Sequence, residues 1–336
     1  MNKKITIFAV ILIVIGIVGT ISSSIAAVPF ATNYINKTIK KANEEVEIYE
    51  KKVDINKLDI DTKNMSVEIR KSNSDKIKIV QVGSYTDKTL TIENKDKVFS
   101  VKENDESQHL NIQVQGFGDA VLSMINLGNN KIIIYVPNNV DIQADTKTGS
   151  LIVRDKDVLS SQIVFNTNQG ELSLPKEVKH LEKLRLSSIG DINLKTSELL
   201  GINNVEVSTQ GNVYLESLPN DIFIEDVENF IPESVNIIAD RYSRMVYVES
   251  SIPISKNLNI ENKTGEVYLN LPIDNYNMNF NLNSLNGINF ENKDNNGSNM
   301  NKFEGSLNEI KDKKITYNVT VDSNTIDKIK TKSNFK

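Results

Sequence analysis

LNIENKTGEVYL, residues 258–269, carries the pattern that decides the fold. Leu258 and Ile260 alternate with polar residues, a polar turn follows with Gly265 near its end, and Val267 and Leu269 resume the alternation. Period-two alternation sends successive side chains to opposite faces of a strand, so each half reads as a short strand with one apolar face. Taking the residue two places before the second apolar pair as a marker, the template recurs along most of the chain. Glycine holds the marker at Gly149, Gly170, Gly190, Gly211 and Gly265, and the first four are spaced by 21, 20 and 21 residues. Arg244 and Asn286 occupy it 21 residues before and after Gly265, and Met65, Lys88, Gln108 and Asn130 occupy it upstream. Only the step from Gly211 to Arg244 breaks the period, which places an insertion at residues 220–234.

A unit of about 21 residues with two short strands cannot bury its apolar face alone, whereas neighbours stacked about 4.8 Å apart share one continuous core. The expected fold is therefore all-β: a β-solenoid of about 21-residue repeats over residues 48–325, stacked in chain order, followed by a tail at 326–336. The five marker glycines are expected to be structural turn residues, selected for positive φ. A β-sandwich is the competing fold, but it would show hairpin signals with varied loop lengths.

Ahead of the repeats, Lys3 and Lys4 precede an almost uninterrupted apolar run from Ile5 to Ile21, and apolar character resumes from Ile25 to Ala31. About twenty such residues in a helix cross a bilayer core. Residues 1–32 are thus expected to form an N-terminal transmembrane helix, and 33–47 a polar stalk. The small-x-small site Ser24, Ile25, Ala26 supports the competing reading, a cleaved signal peptide; the run exceeds the usual length of a signal core and favours an uncleaved anchor. Lysines flank the run on both sides, so the extracytoplasmic placement of the body rests on its polar, strand-rich character.

Composition removes whole chemistries. Among 336 residues there is no cysteine or tryptophan, and His109 and His180 are the only histidines. Disulfides, thiolate metal sites and cysteine nucleophiles are excluded. The first 41 residues carry five lysines and no acid, which leaves −10 for the remainder of a chain of formal charge −5. A body of that sign is a poor match for nucleic acid. No catalytic, cofactor-binding or metal residues are expected, and no cofactor. Neither histidine has a nearby Ser and Asp arrangement that the sequence can support as a triad, and each reads as an ordinary surface residue. Asn292, Asp294, Asn296 and Gly297 imitate the start of a calcium loop, but position 12 is Phe303 and Glu304 falls one place late. Arg241, Arg244, Tyr242 and Tyr247 form the one small basic and aromatic group, of types able to bind a sugar or phosphate, though on a solenoid turn the solvated-face reading is preferred. Carboxylates such as Asp145, Asp155, Glu171, Asp191 and Glu266 are scattered through the repeats. The apolar stretch Gly116 to Asn129 reads as a loop covering the core or as a partner-binding patch.

LDIDTKNMSVEIRKSNSDKIKI at 58–79, and IIIYVP at 132–137 leading into VDIQADTKTGSLIV at 140–153, resemble the bacterial "putative adhesin" family of β-strand-repeat proteins, LiaG-like membrane-anchored proteins among them. The likeness runs from Val46 to Phe290 and departs from the pattern at Met65, at Arg244 and after Leu218. It implies a membrane-tethered, extracytoplasmic β-repeat body and supplies no catalytic residues. The expected function is a non-enzymatic, single-pass cell-membrane protein whose body serves as an adhesin or as an envelope-stress-associated binding or sensing module. Its partners would be the membrane and a cell-envelope polymer or protein. The alternatives are a polysaccharide-acting β-helix enzyme, which would need clustered carboxylates or bases on one face, and a self-assembling scaffold.

Overall fold

A computed structural model describes residues 44–82, 90–104, 131–158, 160–176, 178, 180–217, 227–240, 242–291, 300–308, 310 and 315–330. The N-terminal apolar segment, His109, the 116–129 stretch, Arg241 and the calcium-loop mimic at 292–297 lie outside these residues. Among the described residues no helix is long and apolar enough to cross a membrane.

The chain is all-β, with about 3% helix. Its strands build two walls around a main apolar core, and a small second cluster of Val80, Val82 and Ile133 lies on the opposite face of its strands. Each repeat contributes a first strand to one wall and a second strand to the other. In the first wall, Asp141–Asp145, Gln162–Thr167, Leu181–Ser188, Ile202–Thr209, Ser234–Ala239 and the start of Asn257–Asn270 lie side by side, all parallel. Their register aligns Ile142, Ile163, Leu184, Val205, Val235 and Leu258 in one column, every member buried. The next inward column runs Ala144, Phe165, Leu186, Val207, Ile237, Ile260. Small Ala144 sits directly beside large Phe165, so neighbouring members of the column differ in volume while both are fully buried. In the second wall, Ile192, Val213, Val246 and Val267 stack in the same manner. Burying one such aliphatic side chain stabilises by roughly 1.5–3 kcal/mol, so the columns are the main favourable term in the fold.

Chain-order stacking holds from residue 141 to 270 and fails at both ends. Leu58 pairs with Ile142 and Val67 with Leu151, so the first repeat sits against a repeat 84 residues later. The intervening chain is placed beyond it. Lys131–Val136 runs parallel to Ser66–Lys71, Lys76–Val82 runs antiparallel to Lys131–Val136, and Glu45–Lys52 closes that edge, again antiparallel. Leu90–Lys95, expected as a second strand, instead forms a hairpin in the first wall with Val98–Glu103. Its two-residue turn, Asp96 and Lys97, has both φ angles positive, the geometry that matches hairpin twist. At the other end Thr316–Lys330 lies between Asn257–Asn270 and Asn277–Ser284, and Lys302–Ser306 caps the latter antiparallel. Residues 326–330, expected as tail, are therefore core strand, with Ile326 and Ile329 buried. Strand Glu45–Lys52 likewise begins inside the expected stalk. Among the described residues the edge strands at both ends are antiparallel, charged or short, which disfavours addition of a further parallel strand.

The marker glycines correct a second expectation. Positive φ is confined, among the described glycines, to Gly201, Gly287 and Gly305. Close axial approach constrains the five markers instead: a β-carbon at Gly149 would overlap the Met65 carbonyl oxygen, one at Gly170 the Gly149 carbonyl oxygen, and one at Gly265 the Arg244 carbonyl. Beside this column runs a buried hydroxyl and amide column that ties the turns: Thr146 Oγ1 donates to the Gly149 carbonyl (2.7 Å), Thr167 Oγ1 accepts from Gly170 N (2.6 Å), and Asn262 Oδ1 accepts from Gly265 N (3.1 Å).

On the outer side of the second wall Glu68 is fully buried beneath its own ion pairs, Arg70 at 2.6 Å, Lys131 at 3.0 Å and Arg154 at 3.4 Å. Burial pushes its pKa up, but hydrogen bonds and charge from Lys131 and Arg70 outweigh that and hold the carboxyl below its ordinary value. A depressed native pKa contributes stability above the unfolded value and loses it as pH falls through the native one. Acid denaturation of the native chain is accordingly expected to steepen below about pH 4.3, and Glu68→Gln to flatten that limb in pH-dependent urea melts. Gly170→Ala is expected to cost roughly 1–3 kcal/mol, the range of core overpacking. Gly190→Ala should cost less, because its nearest atom, the Asn168 carbonyl oxygen, lies at 3.0 Å; paired urea titrations check the order.

Candidate functional site

The second wall carries its distinctive chemistry on the outside. Val213–Glu216, Met245–Glu249 and the end of Asn257–Asn270 read VYLE, VYVE and VYLN at 213–216, 246–249 and 267–270. Valine and the following aliphatic point inward, so the tyrosine and the last residue must point outward. In-register pairing then stacks Tyr214, Tyr247 and Tyr268 in one column and Glu216, Glu249 and Asn270 in the next. The rings of Tyr247 and Tyr268 lie face to face, centroids 4.5 Å apart and planes 4° from parallel. Tyr247 donates its hydroxyl proton to Glu249, whose other carboxylate oxygen accepts from Asn270 Nδ2 at 2.9 Å. Partial burial and the Glu249 carboxylate both push the Tyr247 hydroxyl well above the usual phenol range. Glu216 and Glu249, like charges on neighbouring strands, oppose each other, and the donors around Glu249 offset that repulsion.

Two grooves flank the columns and share Tyr214. One, about 670 Å³, is lined by Asn212, Tyr214, Tyr242, Arg244, Glu266 and Asn324 among others. Arg244 stands in the marker column between Gly211 and Gly265, and its side chain points to solvent. Asn212 Oδ1 fixes its backbone by accepting from Arg244 N and Met245 N, each at 3.0 Å. Tyr242 is 75% exposed at the groove's rim. The second groove, about 410 Å³, is lined by Glu171, Lys195, Glu198, Tyr214 and Glu216 among others. Glu198 lies on the single-turn helix Thr196–Leu199, accepts from Lys195 N at 3.1 Å, and has its pKa raised by burial.

Of the residues singled out from sequence, Tyr242 and Arg244 meet in the first groove, while Tyr247 belongs to the adjoining ring column. The scattered carboxylates separate into roles. Asp145 accepts from Asn166 Nδ2 (2.6 Å), Asp155 from Lys71 N (2.8 Å) and Asp191 from Asn212 N (2.8 Å), each tethering one repeat to another. Only Glu171 and Glu266 reach a groove. His180 is an exposed turn residue with φ of 65°. Phe303 packs edge-on against Phe290 at 5.3 Å and Glu304 is in a strand. Sequence reading overlooked Tyr214, Tyr268, Glu216 and Glu249; the repeated valine-tyrosine-aliphatic-Glu/Asn tetrads were the available signal.

Phenols, amides, carboxylates and a guanidinium around open grooves provide hydrogen bonding and flat apolar contact, the chemistry of non-covalent recognition. Among the described residues no three His, Cys, Asp or Glu side chains are grouped to hold a metal.

A two-walled, parallel-stacked β body with a polar-aromatic outer face is the class of protein that these features define. The chain belongs to the Toastrack DUF4097 family, whose model matches residues 55–231, just over half its length. No curated protein matches. Among solved structures it is similar to a Bacteroides fragilis protein described as a "putative adhesin", at 14% identity over 86% of this chain and 99% of that one, TM-score 0.40. A "putative cell adhesion protein" of Clostridium sporogenes is 12% identical over 85% and 99%, TM-score 0.19. A "putative lipid binding protein" of Parabacteroides distasonis is 10% identical over 86% and 95%, TM-score 0.33.

Tyr247, Tyr276 and Tyr317 all have raised pKa values, Tyr317 to about 12, with burial the largest cause in each. A raised native pKa contributes stability below the unfolded value of about 10 and loses it as pH rises through the native one. Stability is expected to decline above about pH 10, and Tyr247→Phe to weaken that decline; alkaline denaturation followed by circular dichroism measures both.

Proposed function

We propose that this chain is a non-enzymatic binding protein of the bacterial cell envelope. On this reading the body is a β-solenoid held to the membrane by the N-terminal apolar segment, lies outside the cytoplasm, and serves as an adhesin or a LiaG-like, envelope-stress-associated module. The observation that carries it is the column of Tyr214, Tyr247 and Tyr268 with Glu216 and Glu249 beside it, next to the Arg244 groove, a rigid recognition surface in which buried Asn270 holds Glu249 from the neighbouring strand. Rigid presentation matters because side chains already fixed in place lose little further freedom on binding. The capped ends favour a single-body binder over the filament alternative.

Full-length chain purified in detergent is expected to pull down a wall-polymer or envelope-protein fraction, and Arg244→Ala with Tyr242→Ala to weaken capture about tenfold or more, as loss of one to two hot-spot contacts would. Absence of capture from every envelope fraction would overturn the proposal.

A polysaccharide-acting enzyme is the second reading, favoured by one observation: Glu171, Glu198 and Glu216 line one groove, and Glu198 has the raised pKa of a proton donor. The binding proposal expects no release of reducing ends from envelope polysaccharides on prolonged incubation. Release abolished by Glu198→Gln would establish the enzyme instead.

A further inference from the structure

The first wall has an outer face of its own, and its two halves differ in chemistry. Towards the N-terminus it carries Asp59, Asp141, Asp145, Lys183, Arg185 and Glu206. Across Asn257–Asn270, Thr316–Lys330 and Asn277–Ser284 most of the central outward positions are amides. Register places Asn257, Asn318 and Asn279 in one column and Asn259, Thr320 and Asn281 in the next, all six at least partly exposed. None of them is charged. Three of the five amides are held along the axis: Asn318 Nδ2 donates to Asn257 Oδ1 at 2.9 Å, and Asn259 Nδ2 to Asn236 Oδ1 at 2.8 Å. A carboxamide has two donor hydrogens and two acceptor lone pairs, so each axial bond leaves capacity directed at solvent.

We propose that this amide grid binds a neutral, hydroxyl-rich polymer, an uncharged polysaccharide laid along the stacking axis. The inference deepens the envelope-binding reading and rests on it, but uses a face separate from the Arg244 groove. Repeating geometry is the first argument. An amide, or in one place the Thr320 hydroxyl, recurs about every 4.8 Å along the axis and about 7 Å between columns, a spacing of the order of one sugar unit in an extended chain, so successive sugars can meet similar donors and acceptors. Charge is the second. The six grid positions are uncharged and the bordering Glu261 is paired with Lys263 at 2.7 Å, so an anionic polymer finds no free cation on the grid and is opposed by the acidic body, while an uncharged one is not. Pre-organisation is the third, because bonded amides lose little freedom on binding. Each contact is individually weak, so a polymer that spans the grid is retained where a single sugar is not.

The experiment uses full-length chain in detergent, with insoluble chitin and cellulose as neutral probes and polygalacturonate as the anionic one. Retention is expected on chitin or cellulose, little changed by 1 M salt, uncompeted by free N-acetylglucosamine or glucose, and absent on polygalacturonate. Asn259→Asp with Asn281→Asp, which keeps shape and adds charge, is expected to reduce retention at least tenfold. A second pair, Asn259→Thr with Asn281→Thr, keeps polar, uncharged, strand-compatible positions and should retain more than the Asp pair, with thermal melts of both pairs confirming folding. The grid proposal is overturned by no binding to either neutral probe, by salt-sensitive binding, or by full binding of a folded Asp pair. It is also overturned if sedimentation shows a dimer that the Asp pair dissociates, for a second copy would then occupy the face. The envelope-binding reading stands or falls separately, on capture of envelope fractions and its loss in the Arg244 and Tyr242 variants.

Discussion

Axial stacking at one strand spacing constrains everything else in this molecule. Once a strand pairs in register with its neighbour, every side chain sits about 4.8 Å above and below a counterpart, and each position becomes part of a column. Columns that alternate inward must be apolar and compatible in volume, as Ala144 beside Phe165 shows. Columns at the turns must leave room for the next carbonyl, which is why glycine recurs where a β-carbon would strike the backbone below. Where polar groups turn inward, at Thr146, Thr167 and Asn262, they are admitted because each has a partner in its own or an adjacent repeat.

The outward columns obey the same rule with a different outcome. Repetition that builds a core on one side builds a periodic surface on the other: rings on rings at Tyr247 and Tyr268, amides on amides at Asn257 and Asn318. Neither surface required a loop to create it. The grooves form where a column is interrupted, at Arg244 in a line of glycines and at the short helix that carries Glu198. Binding chemistry on a stacked fold thus collects at ladders and at breaks in the ladders.

The ends show what stacking costs. A parallel stack exposes unpaired edges, and this chain covers them by departing from chain order. Two antiparallel strands and a hairpin sit beyond the first repeat, and the C-terminal strand is inserted between two earlier coils before a short antiparallel strand caps the far side. That insertion carries long-range pairing, Leu258 with Val319 across 61 residues of sequence, the kind of contact that closes late because its loop entropy comes first.

Sequence by itself determined the local terms. Alternation at Leu258 and Ile260 or Val267 and Leu269 fixed strand identity and facing, because a one-residue slip would turn every apolar side chain to solvent. The near-21-residue period fixed which residues share a column through the middle of the chain. Tertiary structure decided what depends on partners distant in sequence. Period alone could not reveal that the first repeat skips 84 residues to find its neighbour, since a partner four repeats away has the same phase as one a single repeat away. Nor could it distinguish a glycine chosen for φ from one chosen for clearance, because only the stacked coil supplies the atom that a β-carbon would meet. The tyrosine column was written in the tetrads at 213–216, 246–249 and 267–270, but it became a surface only when three separate stretches of chain were brought into register.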